Sequence, residues 1–64
     1  MPIVRYEIAW DIDNHVGFVR IFLNGGGARE FFGLPAADFA AIVALLGTGK
    51  AQFNPSAQQI YVQA

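Results

Sequence analysis

The chain has 64 residues, no cysteine, four basic residues against five acidic ones with a single histidine, and a net charge of −1, with 55% hydrophobic and 14% charged residues. Disulfides and zinc–thiolate sites are thereby excluded, and the near-neutral balance offers no electrostatic footprint for a polyanion. A chain of this size forms one domain, here 1–64, that buries only about 60% of the surface its unfolded state exposes.

The charged share falls well below the usual ~25%, so the excess apolar surface calls for a partner, and the commonest partner is another copy. No apolar run approaches the roughly 18 residues of a membrane span. Met1-Pro2-Ile3-Val4-Arg5 lacks the basic, apolar, small-residue order of a signal peptide, and a cytoplasmic location is the expectation.

In chain order, Val4, Tyr6, Ile8, Trp10 and Ile12 alternate with Arg5, Glu7 and Asp11, which predicts a first strand with one buried face and one wet face. Asp13-Asn14-His15-Val16 reads as a turn in which Asn14 tolerates a positive φ. Phe18 to Leu23 predicts a second strand with Val19, Ile21 and Leu23 on one face and Phe18, Arg20 and Phe22 on the other. With Asn14-His15 as a two-residue turn, Arg20 falls opposite Ala9 and diagonal to Glu7 and Asp11. Asn24-Gly25-Gly26-Gly27 reverses the chain into a short third strand over Ala28 to Phe32.

Pro35 suits a helix start and Asp38 its first turn, and Phe39, Ile42, Val43 and Leu46 keep the spacing of a core-facing stripe that ends at Gly47. The opposite side, Ala37, Ala40, Ala41, Ala44 and Leu45, carries little but alanine. Lys50 to Phe53, the turn Asn54-Pro55-Ser56-Ala57 and Gln58 to Gln63 predict a last hairpin with Ile60 and Val62 on one face. The fold class is α+β: an antiparallel sheet in the order β-β-β-α-β-β with one helix packed on one face.

Few residues are arranged for chemistry. Asp11, Asp13, Asn14 and His15 imitate the start of a calcium loop, but Val16 and Phe22 stand where that loop needs glycine and glutamate. Gly47-Thr48-Gly49-Lys50 imitates the end of a phosphate loop, but Ala44 and Ala51 replace the first glycine and the magnesium-binding hydroxyl, and the segment follows a helix where the motif opens one. No catalytic constellation, metal site or cofactor is expected.

The residues that do stand out are aromatic. Phe18 and Phe22 share a face with Arg20, and since consecutive strand residues point to opposite sides, one of Phe31 and Phe32 joins them. Three phenylalanines on one small face expose on the order of 500 Å². The expectation is a non-enzymatic interaction module that forms a homo-oligomer, most simply a dimer, through Phe18, Arg20, Phe22 and one of Phe31 or Phe32, with Leu45 on the helix as a second contact. The alternative is a single-stranded nucleic-acid binder that stacks bases on Phe18 and Phe22 around Arg20 and holds phosphates with Arg5, Arg29 and Lys50. The RNA-recognition signature argues against it, since Arg20 stands where that signature wants its second aromatic.

Overall fold

The computed structural model describes residues 1–63. The elements run β1 (Ile3–Asp11), β2 (Val16–Leu23), β3 (Ala28–Leu34), α1 (Ala36–Leu46), β4 (Gln52–Asn54) and β5 (Gln59–Tyr61). This is the β-β-β-α-β-β order expected of the α+β class. β1, β2 and β3 form an antiparallel meander with β2 at its centre, and β4 pairs with β5 in a separate two-stranded ladder.

The two ladders meet at the N-terminus. Pro2 bridges Gln52, the Ile3 N–H donates to the Ala51 carbonyl at 3.1 Å, and the Phe53 N–H donates to the Met1 carbonyl at 2.7 Å. Asn24 N–H donates to the Pro2 carbonyl from the other side at 3.0 Å, so the start of the chain is held between β2 and β4.

The core follows from the alternation in β2. Val19, Ile21 and Leu23 are buried, and they pack with Leu46 of α1 and with Ala51 and Phe53 of the C-terminal ladder. Phe39 and Ile42 of the helix, Ile60 and Val62 of the last strand region, and Ile3, Phe31 and Leu34 of the sheet complete that layer. One face of the meander is therefore roofed by the helix and the small hairpin together.

Two irregularities keep apolar residues on the roofed side. In β1 the register slips between Ile3 and Arg5, so that Ile3 pairs with Leu23 while Tyr6 pairs with Ile21, and Val4 is the extra residue. In β3 an extra residue stands opposite Phe18: Gly17 pairs with Leu34 but Val19 with Phe31. The added residue returns Leu34 to the core side, and Gly33 takes a φ of +64°, which a residue with a Cβ adopts only at a cost.

The β1–β2 register differs from the expected one. Asp11 pairs with Val16 around the four-residue turn Ile12 to His15, which puts Arg20 opposite Glu7 and Ala9 opposite Phe18. His15, not Asn14, takes the positive φ. Asp11 holds this wider turn: its carboxylate accepts from the backbone N–H of Asp13 at 3.0 Å and of Asn14 at 3.2 Å, and from the Asn14 side-chain amide at 2.8 Å, so β1 ends two residues earlier than expected. Beyond the C-terminal end of α1, the Thr48 hydroxyl donates to the Leu45 carbonyl at 2.7 Å and accepts from the Lys50 N–H at 3.1 Å.

The first strand is also more exposed than its alternation suggests. Tyr6, Ile8 and Trp10 lie on the roofed face, opposite Ile21, Val19 and Gly17, yet they remain 40%, 43% and 37% exposed. The eleven-residue helix packs chiefly on β2 and β5, and a helix about 10–12 Å across does not reach over the outer strand. Trp10 meets it, with its ring centroid 5.5 Å from that of Phe39.

That meeting depends on the absence of a side chain at position 17. A Cβ on Gly17 would stand 2.3 Å from Cδ1 and 2.9 Å from Cβ of Phe39. Gly17→Ala is expected to push the helix start away from the sheet and to cost about 1–3 kcal/mol, the usual range for overpacking. Urea unfolding measures it, and a midpoint equal to that of the wild type would show that Phe39 is free to move aside.

Candidate interaction surface

The side of the sheet away from the helix gathers Arg5, Glu7, Ala9 and Asp11 from β1 with Phe18, Arg20 and Phe22 from β2 and Ala28 and Glu30 from β3, as their cross-strand pairing requires. Phe32 belongs to this side and Phe31 does not. Phe32 is 69% exposed and its ring lies 4.9 Å from that of Phe18. Phe31 pairs with Val19 and turns to the core, 6.2 Å from Phe53.

Arg20 occupies the middle of this face, with each of its three nitrogens donating one hydrogen bond. Its Nε donates to Glu30 Oε2 at 2.7 Å, its Nη2 donates to the same oxygen, and its Nη1 donates to Glu7 Oε1 at 3.0 Å. The guanidinium also stands 5.5 Å from the Phe18 centroid, while that of Arg5 covers Phe22 at 4.2 Å. Hydrogen bonding to Glu30 is the main reason the Arg20 guanidinium holds its proton even more firmly than usual. A charged band thus crosses the outer face between Phe22 at one end and the Phe18–Phe32 pair at the other.

The other singled-out residues lie apart. Arg29 pairs with Ile21, on the core side of the sheet, with its guanidinium 5.9 Å from the Phe53 centroid. Lys50 lies in the exposed loop after α1. Arg5, Arg20, Arg29 and Lys50 therefore do not converge on one aromatic platform. Leu45 is half-buried on the helix, and Ala37, Ala40, Ala41 and Ala44 are exposed. No helix among the described residues is long and apolar enough to cross a membrane.

The larger apolar exposure is one that the alternation of β1 concealed. Val4, Tyr6, Ile8, Trp10 and Ile12 are all exposed, and a depression of about 320 Å³ opens beside them, lined by Ile3, Val4, Arg5, Tyr6, Leu46, Gly49 and Ala51. A signal for this was present in the sequence. One helix of three turns cannot cover three strands, and the strand at the end of a meander is the one left out. No family model, curated protein or solved structure matches this chain.

The turn that ends β1 carries a titratable contact. The Asp11 carboxyl is held below its ordinary value of 3.8, first by the hydrogen bond from the Asn14 side chain and then by the backbone N–H groups of Asn14 and Asp13. A carboxyl whose folded pKa is lowered stabilises the fold above its unfolded pKa, and that contribution disappears as pH falls through the folded value. The urea midpoint is expected to fall below about pH 4, and Asp11→Ala should flatten that part of the profile. Identical acid profiles for the two proteins would contradict the assigned role of Asp11.

Proposed function

We propose that this chain is a non-enzymatic interaction module that works as a homo-oligomer, a dimer in its simplest form. The observation that carries the reading is the row of apolar side chains Val4, Tyr6, Ile8, Trp10 and Ile12 along β1 and into the turn after it, which stay 37% to 76% exposed even though Trp10 meets Phe39 of the helix. Apolar patches of this kind on a small domain mark protein contacts. Val4, Tyr6, Ile8, Trp10 and Ile12 present on the order of 500 Å² per copy, and two such patches together reach about 1,000 Å², the lower bound of a specific interface.

The outer face, with Phe18, Phe22 and Phe32, is the weaker contact. Its centre is the Glu7–Arg20–Glu30 band, and burying that band would cost desolvation of three charged groups. Several polar side chains also serve the fold, which supports a role without chemistry: Asp11 holds a turn, Thr48 ends the helix, and Glu7 and Glu30 hold Arg20.

Sedimentation equilibrium at micromolar concentration tests this reading. The expected mass is twice 7.0 kDa, and Ile8→Lys, which keeps a strand-compatible side chain but charges the patch, is expected to return the protein to a monomer with unchanged circular dichroism. A wild-type monomer across that concentration range would overturn it.

A further inference from the structure

β1 is an outer strand of the meander, and β4 occupies only its beginning. Among the described residues no strand lies alongside β1 from Arg5 to Asp11. The backbone of that stretch faces two ways. The Leu23 N–H donates to Gly27 on the β3 side at 2.7 Å, and the Asp11 carbonyl accepts from His15 on the β2 side at 2.9 Å. Alternation along the strands then points the backbone groups of Arg5, Glu7, Ala9 and Asp11 towards β2. Those of Tyr6, Ile8 and Trp10 point to the open edge.

The residues with unpaired backbone groups are thus the same residues that carry the uncovered apolar side chains. A long apolar edge of this kind is a template for another strand. We propose that a second copy of this chain adds to it antiparallel, with Ile8 opposite Ile8 on the two-fold axis, so that the two three-stranded sheets become one. The proposal rests on the homo-oligomer reading and gives it a geometry.

Charge and available length select the register. Centred on Ile8, the pairing uses the whole open stretch from Arg5 to Asp11 and no residue held by β4. It sets Arg5 opposite Asp11 of the second copy, and Asp11 opposite Arg5, a favourable pair made twice. On the other face it sets Tyr6 opposite Trp10 of the second copy, again twice. The neighbouring registers that keep both helices on one side fail. Centring on Glu7 sets two glutamates face to face and brings Asp11 to Ile3, whose N–H already donates to Ala51. Centring on Ala9 sets Glu7 opposite Asp11.

In the Ile8 register, Ile12 of the second copy comes opposite Val4, beside the depression lined by Val4, Tyr6, Leu46 and Ala51. The two helices then flank a trough floored by Tyr6, Ile8 and Trp10 of both copies. An isologous contact of this form closes on itself and leaves no free β1 edge to propagate.

Single cysteines in this cysteine-free chain test the register. Residues directly opposite in a hydrogen-bonded antiparallel pair have Cα atoms about 5.5 Å apart, within disulfide range. Ile8→Cys is expected to give roughly tenfold more disulfide-linked dimer under mild oxidation than Tyr6→Cys, whose copies lie about four residues apart along the paired strands. An equal mixture of Tyr6→Cys and Trp10→Cys chains is expected to link at about half the Ile8→Cys yield, the share of mixed dimers under random pairing, which keeps the test independent of one substitution. A dimeric mass with no preference for Ile8→Cys, or with efficient linking of Tyr6→Cys alone, would overturn the edge pairing and leave the homo-oligomer reading standing. A monomeric wild type would overturn both.

Discussion

Three strands spaced about 4.8 Å apart, with their side chains, present a face wider than one helix of about 10–12 Å diameter covers. Much of this molecule follows from that mismatch of widths. The chain has one helix of eleven residues and one hairpin of two three-residue strands to spend as cover. The helix packs chiefly on β2 and β5, and Val19, Ile21 and Leu23 of β2 make a small dry core with Leu46, Ala51 and Phe53. The outer strand is left with one face half open, and its apolar side chains are the surplus that the composition announced.

The two faces of the meander handle exposure differently. On the outer face, aromatic rings lie beneath or beside guanidinium groups, and Arg20 is shared between carboxylates on both neighbouring strands. Exposed ion pairs of this kind add little stability, but they make the face compatible with water and hold Arg20 on the carboxylates of Glu7 and Glu30. On the roofed side of β1 nothing plays that part. Tyr6, Ile8 and Trp10 carry no charge among them, no proline interrupts the strand after Val4, and the bulge at Val4 lies at the end already held by β4. On the roofed side of the open stretch, then, no charge, proline or bulge keeps the edge from pairing, and the charges of Arg5, Glu7 and Asp11 lie on the other face.

Much of the architecture was legible in the residues. The alternation in β2, the glycine turn after Leu23, the helix stripe and the Asn54-Pro55 turn each correspond to an observed element. What could not be read from alternation was register and cover. Asp11 draws the hairpin closed around a four-residue turn through three hydrogen bonds, and a carboxylate within a strand pattern gives no sign that it will cap the turn beyond it. Whether Phe31 or Phe32 faces outward depended on the position of β3 against β2, which the pairing of Phe31 with Val19 settles. The exposed face of β1 was hidden for a different reason: period-two alternation identifies which side chains share a side, but cover is a property of the whole assembly of elements.

The central claim is that the backbone edge from Arg5 to Asp11 is satisfied by a second copy of the chain. Amide hydrogen exchange resolved by residue, measured at several protein concentrations, reads that edge directly without altering any side chain. The N–H groups of Tyr6, Ile8 and Trp10 should be protected at high concentration and lose protection on dilution, while those of β2 stay protected throughout. Rapid, concentration-independent exchange at Tyr6, Ile8 and Trp10 in a protein whose β2 amides remain protected would contradict it.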